Sequence, residues 1–167
     1  MIQVKRKILF VAVVFLAVAM LATPLAVAKP PISLSGEQMI IGYTPISDVP
    51  KGKSDNLVST ALLEVAWTGD IEGVATYEGI LMIHSLDPVA INIHEKIFFP
   101  TVTVLEKTGS LTLQVSANLG RGVDAGFRWT ITGGTGELVN LHGSGTYWLE
   151  DMATGLYLYE GQVHFDP

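Results

Sequence analysis

A chain of 167 residues with sixteen acidic and ten basic residues, and no cysteine, is large enough for one self-supporting core and has no disulfide staples. Its formal charge of −6 disfavours nucleic acid and anionic lipid as partners, because both are held mainly through Lys and Arg.

Residues 1–28 read as a secretory signal peptide. Lys5, Arg6 and Lys7 make the positive start. Ile8 to Ala22 is an apolar run of about 15 residues, the usual length of a signal core. Thr23-Pro24 breaks the helix, and Ala26-Val27-Ala28 is a small-x-small cleavage pattern. Lys29 is then the mature start, and the protein is expected in the cell envelope or outside the cell. The rival is an uncleaved anchor, since Ile8–Ala28 has about the length that crosses a bilayer. A lipoprotein anchor is excluded by the lack of cysteine. Without the signal, seven basic residues face sixteen acids, a formal charge of −9.

Residues 29–56 are expected to supply an N-terminal strand near 34–42 and a long polar loop, Thr44–Asn56, punctuated by Pro45 and Pro50. From 57 to 167 the chain is a series of β-type runs rich in Val, Ile, Thr, Tyr and Trp. These fall near 57–67, 71–84, 89–99, 101–107, 110–118, 123–131, 143–150 and 155–165. Alternation is clearest where Leu111, Leu113, Val115 and Ala117 interleave with Thr112, Gln114, Ser116 and Asn118. Phe127, Trp129 and Ile131 repeat it. Short connections at Ser85–Pro88 and Asn118–Gly122 suit hairpins. The pattern predicts an all-β, single antiparallel barrel, because closure removes exposed edges; a two-sheet sandwich is the alternative.

The segment Thr132–Thr146, TGGTGELVNLHGSGT, is glycine-punctuated. Gly133, Gly134, Gly136, Gly143 and Gly145 permit tight turns and close backbone approach, and Leu138 and Leu141 can plug a barrel end. A phosphate cradle is excluded, because no Lys follows and no βαβ unit surrounds it.

This segment also resembles the C-terminal signature of an uncharacterised prokaryotic domain family grouped with allene oxide cyclases and dirigent proteins. Trp67-Thr68-Gly69-Asp70, Gly73, Glu78, Glu95-Lys96 and Gly109-Ser110-Leu111 fit the same pattern. The resemblance runs from about Leu63 to the C-terminus. It implies an eight-stranded, allene oxide cyclase-like barrel with a central apolar cavity, and no established activity. The working residues of the cyclases and dirigent proteins find no counterpart here beyond the glycine turn.

If Ser85–Pro88 closes a hairpin, Glu78 faces Glu95 across the strands, with Met82 opposite Ile91 on the same drier face. Two carboxylates that close cannot both ionise cheaply, and such a pair serves acid–base chemistry. The bland reading pairs one glutamate with Arg128 or Arg121. A one-residue register slip would turn one of them outward. Met82, Ile91, Ile93 and Trp129 are the candidate ligand contacts; Trp67, Trp148, Phe127, Tyr147, Tyr157 and Tyr159 add aromatic bulk that either lines a pocket for a flat or lipid-like ligand or, as is more common, simply fills the barrel core. His84, His94, His142 and His164 lack metal-ligand spacing, so no metal or other cofactor is expected. His84 should sit near the barrel mouth and His94 should face outward. His142-Gly143-Ser144-Gly145 lacks the strand-turn-helix setting of a nucleophile elbow.

The leading expectation is therefore an exported barrel binding a small apolar ligand in its lumen. A cofactor-independent isomerase or cyclase using Glu78 and Glu95 is the first alternative. A structural or interaction protein with a filled lumen is the second, favoured if no cavity reaches about 300 Å³. No exposed apolar stripe singles out an oligomer interface.

Overall fold

The computed structural model describes residues 30–51, 56–86, 89–120 and 126–166. The signal-type start, Lys29 and Arg121 lie outside them. Eight strands follow in chain order: β1 (Ile32–Pro50), β2 (Leu57–Gly69), β3 (Ile71–Leu86), β4 (Val89–Val104), β5 (Lys107–Gly120), β6 (Phe127–Gly134), β7 (Leu141–Asp151) and β8 (Leu156–Phe165). Each pairs antiparallel with the next, and β1 closes the ring by pairing with β8 from Ile32–Val163 to Met39–Leu156. The predicted barrel is the observed one.

Several strand bounds differ from expectation: β6 runs Phe127–Gly134 where 123–131 was expected, β7 starts at Leu141, and two differences are larger. Residues 44–50 continue β1, paired with β2 as far as Pro50–Leu57, where a polar loop was expected. Both faces of that extension are exposed, so no alternation marks it, and Pro45 sits beside a bulge where its missing N–H costs no ladder bond. The runs 89–99 and 101–107 are one strand, β4, bent between Phe99 and Val102 at Pro100. It ends in a tight turn at Leu105-Glu106, both with positive φ (49° and 68°), the geometry a right-twisted hairpin prefers.

Side chains pointing inward fill one half of the lumen. Trp67, Phe99, Trp129 and Tyr159 lie there with Ile71, Val104 and Leu111, all essentially without solvent contact. Leu138, on a short 3-10 turn (Gly136–Leu138) between β6 and β7, is fully buried and stoppers this end. Thr135 and Glu137 fasten the turn to β5: Thr135 Oγ1 accepts from Ser110 N–H (3.1 Å) and Glu137 Oε2 from Thr108 N–H (3.0 Å). Of the five glycines expected to matter here, Gly136 has φ +62°. A side chain at Gly134 would strike the Leu138 backbone, at Gly143 the Gln162 carbonyl and at Gly145 the Trp129 ring. Gly133 has open space about it, and nothing in the structure requires glycine there.

Closure is locked by one phenol. Tyr159 of β8 accepts the Ile71 N–H (2.8 Å) and donates to the Thr68 carbonyl (3.1 Å) at the β2–β3 turn. It reaches them past Gly36 of β1, where any side chain would strike the Tyr159 hydroxyl.

Candidate functional site

The other half of the lumen is hollow. A cavity of about 220 Å³ opens toward the β1–β2 and β3–β4 hairpins. Its wall carries Gln38, Tyr43, Tyr77, Glu95, Phe127 and Tyr157, among others. The expected central apolar cavity is thus corrected on two counts. It is confined to the mouth, because indoles and Phe99 occupy the rest, and its wall is part polar.

Glu95 is the centre of the site. Strand β4 turns Ile93, Glu95, Ile97 and Phe99 inward, and all are buried. Opposite Glu95 stands Gly79, not Glu78. The empty side of Gly79 accommodates the carboxylate, whose Oε1 would lie 3.1 Å from an added Cβ. Tyr77, two residues along the same face, donates a hydrogen bond to the Glu95 carboxyl. Glu95 Oε2 is buried and has no partner. Burial pushes the Glu95 pKa up to about 7, and the Tyr77 hydrogen bond opposes that rise. Burial, and then the charge of Glu95, pushes the phenols of Tyr77, Tyr147 and Tyr157 upward.

A second buried acceptor shares the wall. Gln38 is 2% exposed, and its Oε1 has no partner. Around these groups the rings interlock: Phe127 stacks on Tyr147 (centroids 4.5 Å apart, planes 8° apart), and Tyr157 meets both edge-on.

The carboxylate pair expected from the sequence does not form. Leu86 pairs with Val89, so the β3–β4 turn is tighter than the four residues assumed. A bulge between Ile83 and Ser85 returns part of that shift. The net slip is one residue, and it places Glu78 on the exposed outer face. Met82 goes with it, opposite outward Asn92. Ile91 is half-buried, paired with Ile83 and Leu119, and lines a separate hollow with His84 and Asn92 instead of the cavity. Trp129 is sealed in the filled half against Gly145 and Gly161, away from the cavity wall. Ile93 alone of the four candidate apolar contacts lines the cavity. Arg128 is exposed and makes no ion pair with Glu95.

Tyr77 and Gln38 are additions the sequence reading did not reach. The spacing Tyr77-x-Gly79 held the signal: a glycine between inward residues leaves room for a large polar partner opposite. Gln38 carried no comparable mark.

His94 is exposed, as expected. His84 faces outward with Glu78 and Met82, and its Nε2 lies 3.1 Å from Asn92 Nδ2. His142 and His164 oppose one another on β7 and β8 and flank Asp166 at 3.2 and 3.4 Å. Among the described residues, no group of three or more His, Asp or Glu is arranged to hold a metal ion.

A crystal structure of a DUF3224 protein of unknown function from Shewanella oneidensis MR-1 superposes with a TM-score of 0.69 at 18% identity, covering 83% of this chain and 99% of that one. The pterocarpan synthase dirigent protein GePTS1 aligns with a TM-score of 0.48 at 13% identity, covering 86% of this chain and 96% of that one. No curated protein matches the sequence. The family model described as "Protein of unknown function (DUF3224)" matches residues 41–160, and the chain belongs to that family.

Proposed function

We propose that this protein is an exported barrel that binds a small molecule in the mouth cavity. The observation that carries this reading is the pair of buried, unpartnered acceptors, Glu95 Oε2 and Gln38 Oε1, in the wall of one hollow. Each such atom costs about 1–3 kcal/mol unsatisfied; the filled half holds one too, Trp67 Nε1, so it is the convergence of two acceptors on one hollow, not burial alone, that supports a guest. At about 220 Å³ the cavity falls short of the roughly 300 Å³ that favours an open lumen, so its volume by itself favours the structural reading, and any guest is smaller than a fatty acid. Export rests on the signal-type start at residues 1–28 and is tested by the N-terminus of the mature protein, expected at Lys29.

Native mass spectrometry of protein purified from its own host tests the binding. A bound mass that is lost from a Glu95→Gln variant supports it. Ligand-free protein, together with no thermal shift from any small polar–apolar probe, would leave a filled structural barrel as the reading.

A second reading has one observation in its favour. Glu95 titrates near neutrality beside the Tyr77 hydroxyl, so a single acid–base group could shuttle a proton on the bound guest, as a cofactor-independent isomerase requires. Turnover abolished in Glu95→Gln with guest affinity retained would distinguish catalysis from carriage.

A further inference from the structure

The chemistry of the cavity wall narrows the class of guest, given the binding reading above. Anions are disfavoured, because the wall's one ionisable carboxyl, Glu95, would repel them and the chain is acidic overall. A wholly apolar guest would leave Glu95 Oε2 and Gln38 Oε1 as they are, buried without a donor. The wall therefore calls for a guest that donates hydrogen bonds.

Two further features separate a charged donor from a neutral one. Among the described residues, no Lys or Arg forms an ion pair with Glu95, so the carboxylate has no counterion of its own. The rings of Tyr43, Tyr77, Phe127, Tyr147 and Tyr157 gather round the same hollow. Aromatic faces are negative at their centres and attract a cation, more strongly when it is out of water. The mature chain's formal charge of −9, seven basic residues against sixteen acids, adds a long-range pull on a cation.

We infer that the mouth cavity is a site for a small primary ammonium with a short apolar or aryl tail, its N–H groups donating to Glu95 and its tail held among the tyrosine and phenylalanine rings. Glu95 ionises when such a guest arrives. Its proton leaves to solvent, and the ammonium keeps all of its own. Binding below neutral pH is thus an exchange of one proton for one ammonium.

The test is calorimetric titration of the full mature chain with phenethylammonium, 2-phenylethanol and 3-phenylpropionate. The ammonium is expected to bind at least about tenfold more tightly than the alcohol, and the propionate least. At pH 6, titrations in buffers of different ionisation enthalpy should show release of about one proton per guest, and affinity should weaken about tenfold per pH unit on acidification. Glu95→Gln should cost about tenfold or more in ammonium affinity and leave the alcohol nearly unchanged. If that variant does not fold, the proton release and pH dependence of the parent protein decide the matter. Equal or tighter binding of the alcohol, without proton release, would overturn the ammonium assignment and leave the binding reading standing. No heat from any of the three at about 10 mM would overturn the ammonium assignment, and ligand-free protein by native mass spectrometry would then overturn the binding reading as well.

Discussion

Burial holds the Glu95 carboxyl near 7, so its protonation and the folding of the chain are linked. Below pH 4.5 both the folded and unfolded chains are protonated there, and this group contributes no pH dependence. Between 4.5 and about 7 the unfolded chain ionises while the folded chain keeps its proton, so stability falls as pH rises. Above about 7 the loss is complete, at about 3 kcal/mol. Glu95→Gln keeps the neutral shape and removes the ionisation. Urea unfolding should find the variant more stable than the parent at pH 8 and no better near pH 4. Tyr159 calls for the opposite kind of change. Tyr159→Phe retains the ring but strands the buried Ile71 N–H, and should cost about 1–3 kcal/mol at every pH by the same measurement.

At the scale of strands, the glycines of β7 and β8 set how deep an indole can lie. Gly145 and Gly161 face each other, and Trp129 lies against both. Gly145→Ala would push a methyl into that ring and into the Glu160 carbonyl, with no flexible tip to yield. Thermal unfolding should register a loss of about 3 kcal/mol. Period-two alternation made most strands readable beforehand, since a half-buried strand writes its two faces into the sequence. It failed at residues 44–50, where both faces are wet and nothing alternates. It failed again at Pro100, where a bend inside one strand looks like a gap between two. Glu95 was legible as a polar residue on a dry face. Its partner was not, because a tighter turn and a bulge near His84 together moved the register by one residue, and neither leaves a distinctive residue pattern. Gln38 was hidden for another reason: its face becomes interior only once β1 closes against β8, a contact between chain ends that local pattern cannot report.

Closure makes the first strand a matter for the whole molecule. Ile32–Gly36 pair with β8, and Leu34 is buried in the filled half. Removing residues 30–36 would bare the β8 edge and take the seat of Tyr159 with it. Such a truncation is expected to lose cooperative unfolding and to associate, which size-exclusion chromatography and a melting curve would record. The two ends of the cylinder also differ in kind. Leu138 and the buried indoles stop one end, while the tyrosine-lined hollow meets solvent at the other. The molecule is therefore a cup and not a conduit: nothing can thread through it, and whatever enters must back out over the same rim. Among the described residues the stoppered end leaves the hollow a single opening.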